Sequence, residues 1–356
     1  MAKKKISALE EKQGVSKTEI TNVTSIATLK QKLKYNLDIE ELIEGVLNRD
    51  ISILSRAITL IESRSSKHLE YAKHIIKACL PHANTSLRIG ITGVPGVGKS
   101  TFIEAFGKHL TNIGKRVAVL AVDPTSTVSK GSILGDKTRM EDLVKDENAY
   151  IRPSASGSTL GGVARATREA IILCEAAGFD VIIIETVGVG QSETTVHSMV
   201  DFFLLLKLAG AGDELQGIKR GIVEMADVIA INKSDGDNIK SAKLAQVEFN
   251  RALHLFPKKT SGWQPQVTTC SALLNEGIDT VWKLILDYVD ITSKNGFFAH
   301  KRQEQNSFWL IQTIESQLKS NFFDLDVIKK ELPKQLDLIA KNKTTPFAAA
   351  DYLLSL

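Results

Sequence analysis

A chain of 356 residues carrying 45 basic and 41 acidic side chains is too long for one small domain. It is also too near neutrality to offer the clustered basic face that a nucleic-acid partner requires. Its 43% hydrophobic and 24% charged content fits a large α/β domain with helical additions rather than a disordered chain. The most apolar run, residues 200–208, contains Asp201 and Lys207, so no membrane span is expected. Lysines 3, 4 and 5 are not followed by a signal-peptide core, which with the absent span points to the cytoplasm. Cys79, Cys174 and Cys270 stand far apart without metal-ligand spacing and read as buried thiols in a reducing compartment.

Along the chain, residues 1–36 are polar and without helical period, which predicts a mobile tail. From 37 to 84 the pattern is a helical extension: Asp38 is placed to cap 39–47, Asp50 to cap 51–61, and 67–80 continues until Pro81. Residues 85–294 then alternate apolar β-rich runs with helical segments. Strands are expected at 87–91, 117–122, 181–184, 202–206, 228–231 and 267–270, with helices at 101–110, 162–177 and 278–288. Uninterrupted apolar strands between helices signify a mainly parallel sheet covered on both faces. Residues 295–356 read as a C-terminal helical arm with segments at 308–318, 325–339 and 347–354, Pro333 being expected to kink or divide the second. Packing back on the core and pairing with a second copy are both open for this arm.

The strand at 87–91 leads into Gly93-Val94-Pro95-Gly96-Val97-Gly98-Lys99-Ser100, with Thr101 next, and a helix follows. This is the phosphate-cradling G-x-x-x-x-G-K-S pattern in the context it needs. Glycines turn successive N–H groups inward and the helix start adds positive potential. Lys99 is placed to reach the β- and γ-phosphates, and the Ser100 hydroxyl to ligate magnesium. The loop alone specifies a nucleoside triphosphate.

The base is chosen further on, where Asn232-Lys233-Ser234-Asp235 follows an apolar strand. A carboxylate at Asp235 can accept from guanine N1–H and the 2-amino group, which adenine lacks. Ser271-Ala272-Leu273, after the last strand, fits a backbone loop closing over the base. Three acids fall at or near strand ends, where ligands of open α/β sheets gather: Glu185, Asp123 and Asp136. Glu185 begins Glu-Thr-Val-Gly188, whose glycine N–H can meet a γ-phosphate. The Gly-rich stretches 154–162 and 209–217 look mobile, the second with Asp213, Gln216 and the adjoining Lys219 as candidate switch residues. Gln191 is near the segment that positions water, without declaring itself, so intrinsic hydrolysis is expected to be slow.

At these residues the chain resembles the MeaB/ArgK family, whose animal member is called MMAA: GTPases associated with methylmalonyl-CoA mutase. The resemblance rests on 93–101, 120–139, 160–169, 185–193, 210–219, 232–238 and 271–273. It departs at Lys207-Leu208-Ala209, where an apolar residue and a proline are expected, and at 125–130. The resemblance implies a GTP-binding and GTP-hydrolysing chaperone that gates cofactor loading and protects or reactivates an adenosylcobalamin-dependent acyl-CoA mutase. It also implies Ser100, Asp136 and Glu185 near Mg2+ with Asp123 assisting, a switch containing Asp213, Gln216 and Lys219, and a homodimer made by the C-terminal arm. A metallocentre-assembly GTPase, which would want a His- or Cys-rich tract, and a transport-linked kinase using ATP are the competing readings.

Overall fold

Runs that look uniformly hydrophobic along the sequence separate, in space, into two alternating faces. In the strand Val181–Thr186, Ile182 and Ile184 enter one core while Val181 and Ile183 enter the other. That is the period-two consequence of a pleated strand covered on both sides. The structure is a computed structural model describing residues 38–63, 65–122, 140–153, 160–186, 192–210 and 220–356. The expected tail, Asp123, Asp136, Gln191, Asp213, Gln216, Lys219 and most of the two Gly-rich stretches lie outside the described residues.

Seven strands form the sheet: β1 (Leu87–Gly93), β2 (Val117–Val122), β3 (Ala149–Arg152), β4 (Val181–Thr186), β5 (Phe202–Leu208), β6 (Val228–Asn232) and β7 (Gln266–Thr269). Their order is β3-β2-β4-β1-β5-β6-β7 and every neighbouring pair is parallel. All strand C-termini therefore emerge at one end of the sheet. β1 is central, and at Gly90 it has no room for a side chain: a Cβ there would lie 2.8 Å from the Phe203 ring.

One face is covered by α1 (Ile39–Leu47), α2 (Ile51–Ile61) and α3 (Ser66–Cys79), together with α5 (Leu160–Ala176). The Asp38 carboxylate accepts from Glu40 N at 3.0 Å and the Asp50 carboxylate from Ile53 N at 3.0 Å, satisfying amides that a helix start leaves open. The opposite face carries α4 (Lys99–Asn112) and α9 (Ile278–Lys294). A smaller core beside β6 and β7 is closed by α7 (Arg220–Met225) and α8 (Ile239–Leu253). A short helix, α6 (Ser192–His197), links β4 to β5.

Beyond the sheet run α10 (Phe297–Asp324), α11 (Asp326–Ala340) and α12 (Pro346–Leu354). The first is 28 residues long, far beyond the 308–318 read from periodicity. The expected division at Pro333 does not occur, and α11 runs through it unbroken. Both Pro333 and Lys329, four residues back, are exposed, so water can satisfy the carbonyl that the proline leaves unbonded.

The root of α10 is fastened by polar groups to the end of the sheet away from the strand C-termini. Asp201, only 1% exposed, receives Arg302 through both carboxylate oxygens at 2.7 Å. Arg302 also donates to the carbonyls of Asn84 and Ser86, and Lys301 Nζ donates to Asp201 O at 2.7 Å. Gln305 and Trp309 donate to the carbonyls of Val200 and Ser198. Beside this clamp, Arg88 and Glu175 make a buried pair at 2.9 Å.

Candidate nucleotide site

The loop 93–98 leaves the C-terminal end of central β1 and turns directly into α4. Gly98 stands at the helix N-cap with φ +93°, a left-handed conformation that disfavours any side chain. Space forbids one as well, since a Cβ there would meet Asn232 Nδ2 at 2.9 Å. Phe102 N donates to Gly98 O at 2.9 Å, so the first helical turn is already formed. Lys99 curls over the loop, its ammonium donating to Gly93 O at 2.8 Å and Val94 O at 3.4 Å. Ser100 is buried at the helix start, and Thr101 is exposed beside it.

The segment expected to read the base is tied to this loop by the Asn232 amide and the Lys233 ammonium. Asn232, at the end of β6, donates from Nδ2 to Val97 O at 2.9 Å. Its Oδ1 accepts from Ala272 N at 3.2 Å and from the Cys270 thiol at 3.7 Å. Lys233, with φ +57°, lays its ammonium on Gly96 O at 2.9 Å. Ser271 donates its hydroxyl to Asp235 Oδ2, and Ser234 N donates to Cys270 O at 3.0 Å. Ser271 and Glu276 exchange backbone hydrogen bonds and close the loop around Ala272 and Leu273, the latter exposed. Residues far apart in sequence, 93–100, Asn232, Lys233, Asp235, Ser271 and Ala272, are thus one connected unit.

The third corner is the end of β4. Glu185 is paired in register with Ile91 on β1 and Ala121 on β2, and is 8% exposed. Thr186, fully buried, shares a 2.8 Å hydrogen bond with Thr92. This pair, which sequence reasoning overlooked, joins the residue before Gly93 to the residue after Glu185. A threonine in each of two strands, immediately beside the motif residues, was the available signal. Val122, the last described residue of β2, pairs with Thr186 at the same end. Among the described residues no group of three His, Cys, Asp or Glu side chains is arranged around a common metal position. Ser100 and Glu185 are the oxygen donors of the expected magnesium set that the described residues contain.

Burial sets the state of the nearby thiol: the Cys270 pKa is pushed up to about 12, so it is a protonated donor to Asn232 and not a nucleophile. The buried Cys79 and Cys174 thiols are likewise raised by desolvation. No helix among the described residues is long and apolar enough to cross a membrane.

Comparison with known proteins agrees with this arrangement. The GTPase ArgK of Escherichia coli is 47% identical over 293 residues, covering 82% of this chain and 88% of its own. The mouse protein named methylmalonic aciduria type A homolog, mitochondrial, is 44% identical over 326 residues, covering 89% of this chain and 79% of its own. A crystal structure described as a LAO/AO transport system kinase superposes with a TM-score of 0.73 at 38% identity, covering 90% of this chain and 98% of that one. The profile described as methylmalonyl Co-A mutase-associated GTPase MeaB matches residues 54–326. A seven-stranded parallel sheet with this loop at its centre, together with these relatives, assigns the chain to the MeaB family of GTPases.

Proposed function

We propose that this GTPase serves as a chaperone for an adenosylcobalamin-dependent acyl-CoA mutase, methylmalonyl-CoA mutase first, gating cofactor loading and protecting or reactivating the enzyme. The observation that carries the nucleotide half of the reading is the Asn232 amide, which binds the phosphate loop to the base loop. The client is supported by the family's description and the mouse relative's name.

In this reading Asp235 accepts from guanine N1–H and the 2-amino group, held in place by the Ser271 hydroxyl. Ala272 and Leu273 supply the backbone beside the base. The Lys99 ammonium, now on the carbonyls of Gly93 and Val94, moves onto the β- and γ-phosphates. The amides of 93–98 and the N-terminus of α4 hold the phosphate oxygens. The donor set suits a hard divalent cation: the Ser100 hydroxyl and Glu185 carboxylate, with Asp123 and Asp136, would hold Mg2+. When bound, that ion neutralises charge between the β- and γ-phosphates. Asp213, Gln216 and Lys219 form the switch that meets the mutase, and the partner accelerates an intrinsically slow hydrolysis.

The apolar side of α10, with Phe308, Ile311, Ile314 and Leu318 exposed at helical spacing, pairs with a second copy. The domains are accordingly a tail to residue 36, a helical layer to 84, the GTPase body to 294 and a dimerising arm.

The test is GTP turnover with and without purified methylmalonyl-CoA mutase. Acceleration and co-elution are expected; turnover unchanged by the mutase, with no co-elution, would sink the proposal. The name of the superposable crystal structure favours a second reading, a transport-linked kinase using ATP. Asp235→Asn separates the two: the guanine reading expects GTP affinity to fall at least about tenfold and xanthine nucleotides to gain.

A further inference from the structure

Between the root of α10 and the body of the domain lies a cavity of about 90 Å³ whose polar wall is Asn84, Arg88, Arg168 and Asn306. Charge at this junction is unbalanced. Arg88, Arg168, Lys301 and Arg302 gather around the carboxylates of Glu175 and Asp201. Glu175 is taken by Arg88, through Nε at 2.9 Å and Nη2 at 3.0 Å. Asp201 is taken by Arg302. Arg168, half-buried on α5, pairs with no carboxylate among the described residues. It donates to Gln305 O at 3.3 Å and Asn306 Oδ1 at 3.0 Å, and lies 5.0 Å over the Trp309 ring.

The remaining hydrogen-bonding capacity of the wall is all of one kind. Asn84 Oδ1 accepts from Arg88 Nη2 and Asn306 Oδ1 from Arg168 Nη2, which leaves both amide nitrogens as donors. Arg88 Nη1 and Arg168 Nε have no acceptor among the described residues. Four residues with donors to spare, two of them guanidinium, line a space of roughly the size of a tetrahedral oxyanion. Burial and the like charge of Arg88 depress the Arg168 pKa to about 10, a penalty that an anion beside it would relieve.

We propose that this cavity is a binding site for a small tetrahedral oxyanion, free inorganic phosphate, held between Arg88 and Arg168. A phosphate there bridges Asn84 at the end of the N-terminal layer, α5 and Asn306 of α10, and so fastens the arm to the body. The site is separate from the nucleotide loop and does not rest on the mutase reading.

Titration of the full chain, saturated with GDP and Mg2+ to fill the loop at 93–100, with phosphate at constant ionic strength tests it calorimetrically. One saturable site is expected, weakened about tenfold or more in Arg168→Gln and several-fold in Asn306→Ala, with GDP affinity unchanged in both. Asn306 is exposed, so its variant remains informative should Arg168→Gln fold poorly. No saturable heat, or equal phosphate affinity in folded variants, overturns the proposal. Phenyl phosphate binding as tightly as free phosphate would assign an esterified source and overturn the free anion. Loss of GDP binding with phosphate binding intact would count against the nucleotide reading alone.

Discussion

The helical additions that precede and follow the sheet along the chain read alike in sequence and meet opposite fates. α2 puts Leu54, Ala57 and Ile58 wholly inside, in the same cluster as β2 and β4. α10 leaves Phe308, Leu310, Ile311 and Leu318 facing out, and its one buried residue is the polar Gln305. An amphipathic stripe states that a face must be covered, not by what. The N-terminal layer is held by apolar area, the arm by charged and hydrogen-bonded side chains at its root.

Cutting the arm's clamp should have the largest effect. Arg302→Ala leaves the Asp201 carboxylate buried without its cation, at a cost of about 3–5 kcal/mol. Chemical denaturation and faster proteolysis after residue 296 are the readouts; an undiminished midpoint would mean that the clamp is ornamental. Next, Ile58→Ala should cost about 2–5 kcal/mol through the cavity that it opens, while Leu318→Ala should change the stability of dilute protein by under about 0.5 kcal/mol. Comparable losses at the two sites would abolish the contrast. Leu318→Asp should instead show itself in light scattering, as weakened self-association.

Acid should act on the clamp side of the molecule as well. His197, edge-on to Phe203 at 5.4 Å, has its pKa lowered to about 4 by burial and by the charge of Lys301. The unfolded chain takes up this proton near pH 6.5 and the folded one only near 4. The stabilisation is therefore complete above 6.5 and lost as pH falls through 4, up to about 3 kcal/mol. Stability profiles of His197→Phe should be flatter over that window; an unchanged slope would remove His197 from the account.

The central strands were legible because each is apolar on both faces, and the loop 93–100 because its chemistry is contiguous. β3 escaped notice, being a four-residue edge strand, Ala-Tyr-Ile-Arg, with a single buried side chain, Tyr150. α6 and α7, at six residues each, are too short to display a period. The site's wiring was invisible for another reason. Asn232 meets Val97 across 135 positions and Ala272 across 40, and no local pattern records a bond of that span. Likewise Arg302 declares nothing until Asp201 is seen beneath it.

β1 carries the phosphate loop at Gly93, and five residues earlier the Arg88 amide donates to the same Asp201 that clamps the arm. Those two points are about 17 Å apart along an extended backbone. A strand hydrogen-bonded on both sides neither shortens nor stretches, so it behaves as a push-rod. The loop and the foot of the arm are thus anchored to one strand, and its partners β4 and β5 share whatever load either end puts on it.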